Sequence, residues 1–456
     1  MASTKIHRTF GTPTDLNKWT YSAWIKLGPV STLGYLFECT TGASNFTAIK
    51  VDSTARLFFG NYNSGYLGQR DLTKLLRDPS AWYHIVAVWD SDNGTAADRM
   101  KLYVNGVQET TYHGSTNPTS GEACQMANGA DCWIGVHQST NDYFSGEMSH
   151  VQFVDGSALA PTEFGETDAT SGMWKIKTDA YATPGNNGFC LKMEDRTNLD
   201  LDSSSNAHTF TTTGTLTPTS DTPSNNFATF NPNMVGTGAT VSNGNCSFAS
   251  GSSINNALVA PTLAASKGKW YWEAQVSHAC AAFGISDTEK LAEEKRNNQA
   301  NGISSGNQSI SWEGNGYMKY SGTQVAYGDA MADATLGGTT LGFFADLDNN
   351  KLYLAEDGVI QNSGTGYTIT APASTDSGYY YLGVCGDQCS ATSNVQGYVN
   401  FGNGVFHTTL LTGTTYSDAG GTGVFKYSPN QGGAANFDSA AKDFYAVCTK
   451  NIKAYG

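Results

Sequence analysis

Charge is scarce in this chain. Charged residues occupy 14% of its 456 positions, against about 25% in typical soluble domains. The 40 acidic residues outnumber the 26 basic ones and leave a net charge of −14. Nucleic-acid binding needs a basic field that displaces phosphate counterions, so DNA and RNA are not expected partners. No run of 18 apolar residues occurs, which leaves no stretch able to cross a bilayer as a helix. The opening residues, MASTKIHRTFGTPTDLNKWT, lack the apolar centre of a secretory signal. Long stretches of Ala, Leu, Glu and Lys are missing too, so helix-forming material is sparse. The nine cysteines (Cys39, Cys124, Cys132, Cys190, Cys246, Cys280, Cys385, Cys389 and Cys448) are scattered and odd in number. That spacing argues against a dense disulfide framework, and most are expected to be buried thiols. Cys385-Gly-Asp-Gln-Cys389 has metal-like spacing, but no second pair or histidine cluster accompanies it.

What is present favours strands. The chain has 51 glycines, recurrent Thr, Ser and Asn, and 12% aromatic residues. That mixture suits many short strands joined by polar turns, with too many large apolar side chains for disorder. WYHIVAVWD (82–90) is apolar on both alternating faces, as in a strand covered on both sides. KLYVNGV (101–107) follows, and its Asn105-Gly106 pair is a strong hairpin signal. CWIGVHQ (132–138), FSGEMSHVQFVDG (144–156) and NGFCLKMED (187–195) read as further strands. Residues 202–226 are rich in Ser, Thr, Asn and Pro, which cannot build a core. They put a boundary near residue 220. Beyond it, GKWYWEAQV (268–276), AAFGISD (281–287), TLGFFADLD (340–348), KLYLAEDG (351–358), YYYLGVCG (379–386) and GYVNFGNG (397–404) restart the strand pattern. TEKLAEEKRNNQ (288–299) is the one short helical segment expected. The fold class is therefore all-β: two antiparallel β-sandwich (jelly-roll) domains in tandem, 1–218 and 227–456, joined by a linker at 219–226.

The first half resembles laminin-G-like, concanavalin A-like jelly-roll domains. WTYSAWIKLG (19–28), WYHIVAVWDS (82–91), KLYVNGV and FSGEMSHVQFVDGSALAPTEFG (144–165) carry the likeness. The second half resembles a SPRY domain, through GKWYWEAQV, FGISD, GTTLGFFADLDNNKLYLAEDG (338–358) and YYYLGVCG…GYVNFGNGVF. The tandem, with DTPSNNFATFNPN (221–233) at the junction and DFYAVCTKNI (443–452) near the end, is similar to virion proteins of tailed phages. That resemblance implies a structural or adhesive protein on the virion surface, a tail fibre or a capsid decoration. Its partners would be other virion proteins, host surface glycans and copies of itself, a trimer by analogy with fibres. Such a protein is made in the host cytoplasm without a signal peptide and is not inserted in a membrane. The competing readings are a glycan-degrading depolymerase and an intracellular scaffold that binds peptides through SPRY loops.

Glucanases on this fold need paired carboxylates spaced E-x-D-x-E or close to it on one strand face, and no strand has that pattern. Glu147 stands alone, Glu163, Glu166 and Asp168 lie in a Pro-led turn, and Asp346 and Asp348, which share a strand face, sit in the hairpin of the second half. No nucleophile elbow is present, and His84, in an apolar strand, reads as a core residue. His137 and His150 have a weaker claim to function. No enzyme is expected. Sugar binding uses exposed aromatics beside polar partners; Tyr62, Tyr66, Trp133 and Tyr143 are the candidates in the first domain, and Trp312, Tyr317 and Tyr320 in the second. No cofactor is required. A Ca²⁺ site would take oxygen ligands from Asp90, Asp92 and Asn93 with Asp142, although Asp and Asn in such turns also serve simply as turn residues. The N-terminal residues 1–18, with Lys5, His7 and Arg8, form either a docking segment or a frayed end.

Overall fold

The structure, a computed structural model, describes residues 4–29, 32–127, 129–138, 142–236, 238–251, 258–279, 281–287, 309–320, 323–331, 334–387, 395–430 and 443–456. The helix expected at 288–299 lies outside the described residues, as do Cys280 and Cys389. The all-β expectation holds: strands dominate, and the one α-helix among the described residues is Thr449–Tyr455. The chain divides into two compact units, 1–218 and 219–456.

The first unit contains sixteen strands among its described residues. They are β1 (Lys5–Thr9), β2 (Lys18–Leu27), β3 (Gly34–Gly42), β4 (Asn45–Val51), β5 (Arg56–Asn63), β6 (Tyr66–Leu75), β7 (Trp82–Asp90) and β8 (Met100–Val104). Then follow β9 (Val107–Glu109), β10 (Tyr112–Thr116), β11 (Asp131–Ile134), β12 (Gly146–Asp155), β13 (Gly165–Thr167), β14 (Trp174–Ile176), β15 (Phe189–Leu191) and β16 (Thr211–Thr213). One sheet has the order β10-β6-β5-β4-β3-β11-β1-β16 and the other β15-β12-β2-β7-β8-β9; β13 and β14 pair separately. The core between the sheets holds Trp19, Tyr21, Phe37, Phe59, Trp89 and Phe153, all within 1% of full burial.

Strand β7 shows why its sequence is apolar on both faces. Ile85, Ala87 and Trp89 enter the core, whereas Val86 and Val88 pack against Val154 and Phe164 on the other side. The segment after β12 supplies that second cover. Asn105 and Gly106 take φ of 50° and 78°, and their turn pairs Val104 with Val107 across β8 and β9. Left-handed backbone at both positions is what Asn-Gly accepts at little cost.

Most cysteines are buried thiols as expected, but one pair is not, and the reading of the N-terminal segment needs correction. Cys39 and Cys132 are not thiols; they form a disulfide between directly opposed residues of β3 and β11. Cys124, Cys190, Cys246, Cys385 and Cys448 are free and buried. The N-terminal segment is neither frayed nor a free docking arm from Lys5 onward. Lys5–Thr9 is a strand between β11 and β16, and Ile6 and Phe10 are 2% exposed in the core. Alternating apolar residues at 6 and 10 gave that short strand a buried face, which its polar composition hid.

The second unit also packs two sheets. One runs Phe230–Val235, Leu258–Pro261, Tyr380–Asp387, Ala281–Ser286, Ser309–Glu313, Tyr317–Tyr320, Thr323–Ala326. The other runs Ala239–Ser242, Ser247–Ser250, Gln396–Asn400, Lys269–Val276, Leu341–Asp346, Lys351–Glu356, Val359–Ile360. The alternation in GKWYWEAQV sends Trp270, Trp272, Ala274 and Val276 inward, where Trp272 stacks on Phe343 at 5.4 Å. The opposite face carries Tyr271 and Glu273. It is covered by the chain's last segments: Phe425, Phe444 and Ala446 pack on Tyr271, and Tyr445–Ala446 pairs in parallel with Trp270 and Tyr271. Glu273 is fully buried there and accepts bonds from the backbone N–H of Lys426 and Tyr427, at 2.9 and 2.7 Å. Burial raises its pKa to about 7, against those stabilising donors.

Candidate functional site

Strand register assembles a site on the first unit that local sequence does not reveal. In antiparallel sheets, directly opposed residues share a face and touch. On the face of the eight-stranded sheet turned away from the core, register aligns Thr9, Asp131, Thr40, Phe46, Tyr62 and Tyr66 in one cross-strand row. The next row is His7, Trp133, Glu38, Ala48, Gly60 and Gln69. The third runs Tyr35, Lys50, Phe58 and Asp71.

Aromatic rings stand along the first and third rows, and between them the middle row is small at Ala48 and Gly60. Phe46 and Tyr62 stack at 5.1 Å, and Tyr62 meets Tyr66 edge-on at 5.1 Å. Phe58 and Tyr66 close over Gly60, where an added Cβ would lie 2.7 Å from the Phe58 ring. Any larger residue there would displace both rings. Tyr66 is the most open of the group at 40% exposure, while Tyr62 is half-buried. Lys50 runs beneath Tyr35 and Phe58, with Nζ 5.0 and 4.9 Å from the two ring centres. Burial lowers its pKa, opposed by Asp142, Asp52, Glu38 and Asp71.

Several charged groups of this face are held by neighbours. Glu38 is fully buried, and its Oε2 lies 2.8 Å from His137 Nδ1 and accepts the Gln138 N–H at 3.0 Å. His137 in turn stacks on Tyr35 at 4.4 Å and meets Phe46 edge-on. His7 Nε2 is 3.2 Å from Asp131, which also accepts from the Thr9 hydroxyl at 2.9 Å. The His7 ring stacks on Trp133 at 3.9 Å, and Lys5 Nζ lies 5.0 Å over the same indole. A shallow pocket of about 290 Å³ opens beside Trp133, lined also by Thr40, Thr41, Asp131 and Gln138.

Of the aromatic residues singled out in the sequence, Tyr62, Tyr66 and Trp133 therefore share one face. Tyr143 sits at its margin, where its backbone bridges Tyr35. The second unit does not assemble its three. Trp312 is 1% exposed in the core, so it is not a ligand platform; Tyr320 packs against that core and bonds Thr370 at 2.9 Å, and Tyr317 is exposed. Phe46, Glu38, Tyr35 and Phe58 are among the members of the first-unit face that the candidate set did not contain, and His137, given only a weak claim, joins them. Their signal is register, which no single strand shows.

The proposed calcium ligands do not converge. Asp90 pairs with Lys18 at one end of β2, whereas Gly28, beyond the other end of β2, bonds the carbonyl of Ser145, three residues after Asp142. The ten residues of β2 separate the two groups by roughly 30 Å at ~3.3 Å per residue. Asp92 instead holds Lys18 and Asn17 at 3.0 Å each, and Asn93 Nδ2 donates to Asp90 at 3.3 Å, as turn residues do. No cluster of three or more His, Cys, Asp or Glu able to hold a metal occurs among the described residues.

His84 looks catalytic and is not. Its Nε2 lies 2.9 Å from Ser22 Oγ, but Trp174 Nε1–H donates to its Nδ1 at 2.9 Å. A neutral ring accepting at Nδ1 carries its proton on Nε2, so it donates to Ser22 and cannot deprotonate it. Burial also depresses its pKa to about 3. Glu166 and Asp168 hold Lys175, at 3.1 and 3.5 Å.

Residues 4–163 match the family described as the concanavalin A-like lectin/glucanases superfamily. No curated protein sequence matches the chain. Similar solved structures include a native heptameric SAP-like pentraxin from Limulus polyphemus, 24% identical over 34% of this chain and 71% of that one, with a TM-score of 0.27. The LG4-5 domains of the mouse laminin alpha1 chain are 10% identical over 87% and 84%, at 0.30. The SPRY domain of human HERC1 is 11% identical over 37% and 96%, at 0.28. Residues 4–163 thus match a concanavalin A-like model, and SPRY domains are among the chain's structural neighbours.

Proposed function

We propose that this protein is a non-catalytic glycan-binding protein displayed on a tailed-phage particle, as a fibre or a capsid decoration. The observation that carries the binding half is the aromatic face of the eight-stranded sheet, where Tyr62, Tyr66 and Trp133 stand beside paired polar groups. Tyrosine and tryptophan give rigid contact area at low entropic cost, and flanking amide, hydroxyl and carboxylate groups suit sugar hydroxyls. The family match in this unit spans lectins as well as glucanases. Binding is favoured over cleavage because the Ser22–His84 pair has the wrong tautomer, and Glu166 and Asp168 are engaged with Lys175.

The virion half rests on the resemblance of the tandem and its junction at 221–233. Self-association, with a trimer as the working number, would multiply weak glycan contacts into useful avidity. Mass spectrometry of purified particles tests display: absence of the chain from the virion ends that half. Incubation of the purified protein with host polysaccharide tests catalysis. Retention without chain shortening is expected, and shortening would make it a depolymerase.

A further inference from the structure

We propose that the aromatic face takes an extended, uncharged oligosaccharide laid across the strands, with one terminal sugar seated in the pocket beside Trp133. This rests on the glycan-binding reading above and specifies its ligand. The pocket and the aromatic row are one surface. Thr40 lines the pocket and is also the register partner of Phe46, which leads on through Tyr62 to Tyr66. From β11 through β3, β4 and β5 to β6 there are four strand spacings, or roughly 19 Å at ~4.8 Å each. A single sugar fills the pocket and leaves that length bare, whereas a chain of several residues covers both.

The charges on this face select against anionic sugars. Lys50 lies over Tyr35 and Phe58 and Lys5 over Trp133, while the carboxylates of Glu38, Asp131 and Asp71 stand on the same face. The Asp131 carboxylate in the pocket opposes a sugar carboxylate or sulfate there, and the net charge of −14 repels polyanions at a distance. The groups lining the pocket, Thr40, Thr41, Asp131 and Gln138, are the hydroxyl, carboxylate and amide partners that neutral sugars use.

The full chain is titrated with neutral gluco- and manno-oligosaccharides from monosaccharide to hexasaccharide, and with uronate oligosaccharides of the same lengths. Affinity is expected to rise with length until the ligand spans the row, then level off, with the uronates weaker throughout. Tyr66→Ala should cost up to roughly tenfold on long ligands, the order of one aromatic contact, and leave monosaccharide affinity unchanged. Trp133→Ala should weaken every length, and Trp133→Phe, which keeps a ring against His7, checks that the loss is not unfolding. Equal affinity for all lengths, preference for uronates, or indifference to Tyr66→Ala overturns the extended-chain proposal while leaving glycan binding in place. No binding of any probe overturns both.

Discussion

Acidifying the protein should expose His84 as a buried group that cannot be charged while folded. Its ring is wedged between Trp24 and Trp174, at 4.9 and 5.9 Å, and both nitrogens are committed to Ser22 and Trp174. Burial lowers its folded pKa from 6.5 to about 3. The folded pKa lies below the unfolded one, so the group's contribution is fully present above pH 6.5 and lost as pH falls toward 3. At about 1.4 kcal/mol per pH unit, the loss reaches about 3 kcal/mol by pH ~4.5. His84→Phe removes this titration. It is less stable at neutral pH, since Ser22 and Trp174 lose partners, but its stability falls less steeply below pH 6.5. Lowered carboxyls such as Asp52 act nearer pH 4 and are common to both proteins. Urea unfolding of the first unit across this range measures the two slopes, and the His84 ring proton shift reads the protonation directly. Equal slopes, or a ring that titrates near 6.5 in the folded protein, would refute the reasoning.

Three further outcomes are expected. The Cys39–Cys132 bond closes a separation of 93 residues, worth about 4–5 kcal/mol by unfolded-chain entropy; reductant should lower the first unit's melting temperature, and thiol counts in denaturant that do not change with reductant would remove the bond. Trp312→Ala should destabilise the second unit by about 3–5 kcal/mol without changing glycan affinity, because its ring is core; a selective loss of binding would return it to the ligand site. Glu273 has a raised folded pKa, so its contribution is present below about 4.5 and lost as pH rises through about 7. Glu273→Gln should therefore flatten the second unit's stability between those values, and an unchanged profile in urea melts would count against a neutral folded-state carboxyl.

The architecture was legible where strands announce themselves locally. WYHIVAVWD appears as a strand over Trp82–Asp90, and KWYWEAQV sends its tryptophans inward as the alternation requires. The site was legible only in part, because it is made between strands. Tyr62 and Tyr66 lie four residues apart and were found together, whereas Glu38 and Trp133 become neighbours through the pairing of β3 with β11. The same pairing hid the disulfide. Trp312 misled because exposure is not written in a residue's type, and its strand, Ser309–Glu313, buries it. Asp142 misled for the converse reason, since turns rich in Asp and Asn occur at both ends of a sandwich. Lys5–Thr9 is now a strand with core anchors on either side, so deleting residues 2–10 would test folding and not docking.

The most direct test of the glycan-binding face is fluorine NMR of the full chain carrying fluorinated tyrosine and tryptophan, titrated with a neutral oligosaccharide. The account predicts shifts at Tyr62, Tyr66 and Trp133 with Trp312 and Tyr317 unmoved. Shifts confined to Tyr317 and its neighbours in the second unit, with the three first-unit rings silent, would contradict it.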